Sequence, residues 1–229
     1  MSPPTIYPPR TITVCAAPLT PSDFGPFGTV IQVPGTASAT VNQGTAQKHT
    51  CITPFTDTYP ITAPRAAANV NLFLCKPRSL LPLDAVAADD VSSGIFKVKI
   101  LERHPYTTQS FIPLGLPAPT RESPSPSKFL VIVAPTLSKP GGPPDLQGLR
   151  AFVAHGNQGV TYGAGTWHAP MVVLGEREVV FVVLVHENGV ESDDCQEVIV
   201  GGKGVDVEVR QGMGSGEYGL WGGEAKAKL

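Results

Sequence analysis

Apolar and polar residues alternate in short runs along most of the chain, and glycine, proline and asparagine separate the runs. A period of two puts successive side chains on opposite faces of an extended strand. Such runs occur at 11–15, 27–33, 69–75, 95–104, 109–114, 128–133, 149–155, 158–162, 168–174, 178–186, 195–200 and 205–210. Helical periodicity is nearly absent. Residues 79–90, SLLPLDAVAADD, form a weak helical segment that Pro82 interrupts, and 145–149 predicts a short turn. The pattern predicts a mainly β molecule with few short helices, built as a jelly-roll or related antiparallel barrel.

The strands run as one continuous series, so residues 1–210 read as a single domain. Two proline-rich stretches, 115–127 and 135–145, interrupt that series and are expected to be surface loops. Residues 211–229 read as a flexible Gly-rich tail. The composition of the 229-residue chain narrows the function further. Its 24 glycines and 24 prolines supply turns, and its net charge of -2 gives no electrostatic footprint for nucleic acid or an anionic membrane. No apolar run approaches the roughly 18–20 residues that span a bilayer. The proline-rich start carries no apolar leader segment, so an intracellular protein is expected. Cys15, Cys51, Cys75 and Cys195 have no metal-binding spacing and are expected to stay reduced.

Polar residues interrupt this pattern most sharply at LERHPYTTQSFIPLG, residues 101–115. By alternation Phe96, Val98, Ile100, Glu102 and His104 share one face, while Lys97, Lys99, Leu101 and Arg103 share the solvent-tolerant other. Glu102 and His104 then project together over an apolar floor, and Gln109 opens the next strand beside them. A second signal is NQGVTYGAGTWHAP, residues 157–170, where His168 opens a strand whose Pro170, Val172 and Leu174 share its face. Gly159, Gly163 and Gly165 read as turn residues.

These two segments resemble the paired motifs of the cupin superfamily, which supply histidines and a carboxylate to one pocket. Glu102, His104, Gln109 and His168 stand at the four positions. By that resemblance the four could hold a divalent metal, although Gln109 is neutral and a weaker ligand than a carboxylate. More specifically, ERHP followed by QSFIPL, the QGVTY turn, the WHAP step and DDCQEV resemble the ureidoglycolate lyases of allantoin breakdown, the fungal members above all. The resemblance covers roughly residues 11–200. It implies a cupin-like barrel (a double-stranded β-helix), a homodimer, and a carbon–nitrogen lyase that splits ureidoglycolate into glyoxylate and urea.

That reaction removes a hydroxyl proton, forms a carbonyl and expels urea, so it needs a base, an acid and donors for oxygen. His104, His168 and Glu102 are the proton-handling candidates, and Gln109 can donate to an oxygen or accept from the urea amide. For the substrate carboxylate Lys48 is the first candidate, with Asn42 and Gln43 beside it, since alternation turns Arg103 away. Two other readings keep the pocket: a cupin acting on another small ureido or hydroxy acid, and a non-enzymatic small-ligand-binding cupin. His49, His155 and His186 read as structural, Trp167 as wall or core, and Cys195 as a small buried residue. The final Ala-Lys-Leu resembles the Ser-Lys-Leu peroxisome address. It predicts an import-receptor partner and a peroxisomal location, against a cytoplasmic one if it is not read.

Overall fold

In a computed structural model, residues 2–83, 93–115, 128–139 and 141–210 are described. Segments 84–92 and 116–127 and the tail lie outside them. So do most of the 79–90 helix, most of the 115–127 loop and the Ala-Lys-Leu end; the described part of the helical segment, 79–83, is not helical. Among the described residues the chain is mainly β, as the alternation predicted, with two one-turn α-helices. Pro21–Phe24 is capped by the Thr20 hydroxyl, which accepts the Asp23 N–H at 3.2 Å. Glu191–Asp194 carries acids in its only turn. Both are too short to show a period of 3.6, which is why the pattern missed them. No described helix is long and apolar enough to cross a membrane.

Three sheets position the site. The central one runs Thr5–Ile6, Gln196–Val200, Ile100–Arg103, Trp167–His168, Lys128–Ala134, Arg150–His155, Ala17–Pro18, with Val172–Leu174 also on Lys128–Ala134. A front sheet runs Gly28–Ile31, Gly159–Tyr162, Gln109–Leu114, Val179–Glu187, Ala67–Cys75. A back sheet joins Ile12–Cys15, Val205–Val209 and Gly94–Val98. A separate hairpin pairs Ala39–Val41 with Ala46–Lys48.

The central sheet is apolar on both faces. Leu101, Leu130, Ile132, Ala151, Val153 and Val198 pack toward the back sheet's Phe96, Val98, Val205 and Val207. Phe129, Val131, Val133, Phe152 and Ala154, one residue out of phase, pack toward the front sheet's Phe111, Val160, Tyr162, Phe181 and Val183. That two-sided burial explains continuous runs such as FLVIV, where no polar face is needed.

Two expectations about phase are corrected here. Residues 95–104 are not one strand: the ladder breaks at Lys99, and Gly94–Val98 pairs with the back sheet while Ile100–Arg103 pairs with the central sheet. Lys99 and Ile100 face solvent, and both Val98 and Leu101 reach the back core. Burying a Val or Leu is worth roughly 1.5–3 kcal/mol. A broken ladder hydrogen bond costs nearer 1 kcal/mol, so the kink wins. Leu101 is therefore core, not solvent face, and Phe96 and Val98 do not form the floor under Glu102. Residues 168–174 break likewise. Leu130 opposes Val172, but three residues further along that strand Val133 opposes His168, four residues back. The extra residue inverts the phase. Val172 and Leu174 thus join the back core, and His168 faces the front.

Candidate active site

The site sits where the central and front sheets face each other. His168 is directly opposite Glu102 on one neighbour and Val133 on the other, so the three side chains share the front-facing side. His104 follows Glu102 by two residues, leaves the strand at its end, and is buried. Five residues on, Gln109 opens the next strand in the front sheet, directly opposite Tyr162. The turn that carries His168 is clasped to this loop: the Gly165 N–H donates to the His104 carbonyl at 2.7 Å. Gly165 has φ +77°, a conformation that excludes most side chains.

These elements bring Glu102, His104, Gln109 and His168 together, as the sequence predicted. His168 is 1% exposed and Gln109 5%, so few waters compete for their polar atoms. The His168 Nε2 lies 3.1 Å from Gln109 Oε1 and 3.4 Å from Glu102 Oε1. Ligand atoms of Glu102, His104 and His168 all lie within 4.8 Å of one another. Val133, across the ladder, and Tyr162 are the apolar neighbours of His168 there, rather than the residues expected from alternation. Tyr162 stacks flat on His168, ring centroids 3.9 Å apart and planes at 13°. Its role was missed, although it ends the QGVTY motif.

Backbone carbonyls orient both imidazoles. His104 Nδ1 meets the Asp194 carbonyl at 2.5 Å, and His168 Nδ1 meets the Thr166 carbonyl at 3.0 Å. A carbonyl only accepts, so each Nδ1 carries the proton and each Nε2 turns toward the pocket. Among the described residues His104 Nε2 is buried without a hydrogen bond of good geometry, the Gln109 side chain being the group that pulls on it. The His168 Nε2 lone pair would meet two more acceptors, Gln109 Oε1 and Glu102 Oε1. Four acceptor atoms converging in a buried space call for a proton or a cation between them. Burial pushes the His104 imidazole below its ordinary range, the charge of His168 adding to it against the pull of the Asp194 bond, the Glu102 charge and the Gln109 side chain. Burial would raise the Glu102 carboxyl, but the hydrogen bond and charge of His168, with the charge of His104, hold it below its ordinary value. Glu102 is thus kept as a carboxylate and His104 as a neutral acceptor.

The other candidates fall elsewhere. Arg103 turns away from the pocket, as expected, but it is half-buried rather than free in solvent. Its guanidinium lies 4.7 Å over the buried Trp167 ring and donates to the carbonyls of Gly141 and Gly142 and to Gln196 Oε1. Lys48, Asn42 and Gln43 are exposed on the separate hairpin. Among the described residues no hydrogen bond joins that hairpin to the four. His49 lines a cleft of about 290 Å³ with Ile31, Ile52, Ile112 and Gln158, outside the front sheet. His186 stacks on Phe55, centroids 4.1 Å apart. Cys195 is half-buried beside Glu102 and Glu197; burial, then those carboxylates, push its thiol up to about 12, which rules out a thiolate nucleophile.

The profile of the family described as ureidoglycolate lyase matches residues 11–208, nearly the whole described chain. The chain belongs to the ureidoglycolate lyase family. It is 38% identical over 186 residues to the ureidoglycolate lyase of Schizosaccharomyces pombe, covering 80% of this chain and 89% of that one. To that of Saccharomyces cerevisiae it is 38% identical over 185 residues, covering 77% and 87%. A Burkholderia mallei relative of the same name is 34% identical over 166 residues, covering 72% and 77%. The match spans every strand that carries the four candidate residues.

Proposed function

We propose that this protein is a ureidoglycolate lyase that releases glyoxylate and urea, and that Glu102, His104, Gln109 and His168 carry the reaction. The observation that supports the reading most is the convergence of ligand atoms of Glu102, His104 and His168 within 4.8 Å of one another, with His104 Nε2 buried and bonded to no backbone group among the described residues. In the forward direction His104 Nε2 takes the proton of the substrate hydroxyl. The oxygen lone pair then closes the glyoxylate carbonyl as the carbon–nitrogen bond breaks. His168 enters the cycle as an imidazolium whose Nε2–H lies between Gln109 Oε1 and Glu102 Oε1, and it gives that proton to the departing urea nitrogen, so that the proton taken by His104 is matched by the one released here. The Asp194 carbonyl stabilises the imidazolium formed at His104 by accepting its Nδ1–H, and the Gln109 amide orients the ureido group. Arg103 is committed elsewhere, so Lys48 remains the proposed partner of the substrate carboxylate, with Asn42 and Gln43.

A second reading rests on the convergence of four acceptors. The same side chains would hold a divalent first-row ion, which when bound would polarise the substrate oxygens. We also propose a homodimer, formed through the outer face of the front sheet, which is apolar and exposed.

The experiment is a pair of substitutions assayed in metal-stripped and metal-supplied protein. His104→Ala and His168→Ala should each lower kcat roughly 100-fold or more with the fold intact. Activity of the stripped wild type at full level favours the proton-transfer reading; loss restored by added metal favours the ion. Near-normal turnover in both variants would remove these residues from the mechanism.

A further inference from the structure

The DDCQEV motif lies outside the four-residue cluster, yet one of its acids reaches His104. Asp194 ends the one-turn helix Glu191–Asp194, and its carboxylate faces back into the turn that precedes it. Oδ1 accepts the Asn188 N–H at 2.7 Å and the Tyr59 hydroxyl at 2.7 Å, while Oδ2 accepts the Gly189 N–H at 2.7 Å. The turn is braced again: the Val190 N–H donates to Asn188 Oδ1 at 2.8 Å, and the Asn188 amide to Asp193 Oδ2 at 3.1 Å. A carboxylate with three donors fixes the residue that bears it. The backbone carbonyl of that same residue is the acceptor of His104 Nδ1.

The Tyr59 end is anchored as firmly. Its segment is stitched to the loop that follows His104: the Thr58 N–H donates to the Tyr106 carbonyl at 2.7 Å and the Thr108 N–H to the Thr56 carbonyl at 3.3 Å. The Tyr59 and Tyr106 rings pack 5.4 Å apart. One strap therefore grips both the residue that orients His104 and the loop that carries it on to Gln109. Burial, then the hydrogen bond and charge of Asp194, push the Tyr59 phenol up, so the hydroxyl stays a donor.

We propose that Asp194 is a positioning residue: its side chain, held by Tyr59 and the 188–189 turn, fixes its own carbonyl so that His104 keeps its proton on Nδ1 and presents Nε2 to the substrate. This rests on the lyase reading for its consequence but not for its geometry. Carbonyl or carboxylate partners of functional histidines act this way, and losing one typically lowers function 10–100-fold.

The test reads the tautomer directly. Long-range proton–nitrogen spectra of the metal-stripped full chain resolve the ring nitrogens of its five histidines, with His104 identified by its loss in His104→Ala. Wild type should show His104 with Nδ1–H and a bare Nε2. Asp194→Ala should give a mixture of both tautomers and lower kcat by roughly 10-fold or more with KM little changed. Asp194→Asn, which keeps one acceptor, should fall between. Should Asp194→Ala not fold, Tyr59→Phe removes one of the three donors and should move the same signals in the same direction. A wild-type His104 protonated on Nε2 overturns the proposal. So does Asp194→Ala, or Tyr59→Phe in its place, with an unchanged tautomer and unchanged kcat. If wild type turns over no ureidoglycolate, the lyase reading fails while the tautomer result still decides the proposal.

Discussion

Two buried imidazoles in this molecule are held neutral by different surroundings. His104 has a carbonyl on one nitrogen and the side chains of Glu102 and His168 near the other. His155 is 3% exposed at the far end of Arg150–His155, directly across the ladder from Lys128. Burial, and then the Lys128 charge, lower its imidazole to about 4. In the unfolded chain the same ring would titrate near 6.5. Between those values the unfolded chain binds more protons than the folded one, so stability is lost as pH falls from about 6.5 toward 4 and is fully present above 6.5. Allowing for solvent screening, the loss is on the order of 2 kcal/mol. Urea unfolding of His155→Gln across that range should show a shallower acid slope than wild type. Parallel slopes would mean that His155 does not charge on unfolding.

At the scale of elements, alternation found nearly every long strand, because two-sided or one-sided burial writes a period directly into the sequence. Its errors came where the phase shifts inside a run: at Lys99, where the chain passes from the back to the central sheet, and between His168 and Val172, where an extra residue bulges within the central sheet and Pro170 is its one mark in the sequence. The four candidate residues stood out because polar side chains interrupt apolar runs there, and the structure brings them together. Tyr162, Asp194 and the Thr166 carbonyl did not stand out, since an aromatic in an apolar strand looks like core and a backbone carbonyl has no sequence signal. Gly28 shows how tightly the elements meet. It lies opposite Tyr162 at φ +155°, and an added Cβ would sit 1.9 Å from the Thr161 carbonyl oxygen. Gly28→Ala should destabilise by more than about 1 kcal/mol, measured by denaturant unfolding, and lower kcat by tilting Tyr162 off the His168 ring. A variant as stable and active as wild type would show that the two strands have slack.

On the scale of the whole molecule, no described segment covers the Leu72 and Leu74 end of the front sheet's outer face. Leu72, Val182 and Ile112 form one cross-strand row, and Leu74, Val180 and Leu114 the next. Leu72 is 66% and Leu74 59% exposed, while the alternate positions Phe181 and Val183 are fully buried. The proposed dimer would cover these exposed apolar rows with the same rows of a second copy of the chain. Sedimentation should therefore give a dimer for wild type and a monomer for Leu72→Glu, with the thermal midpoint of the monomer little below that of its parent. A monomeric wild type, or a variant that still dimerises, would exclude this face. The central claim concerns the pocket, and product release tests it most directly. Purified protein given racemic ureidoglycolate, with and without a divalent metal, should release glyoxylate and urea in equal amounts, well above the buffer rate. Folded protein that yields neither product under both conditions would contradict the account.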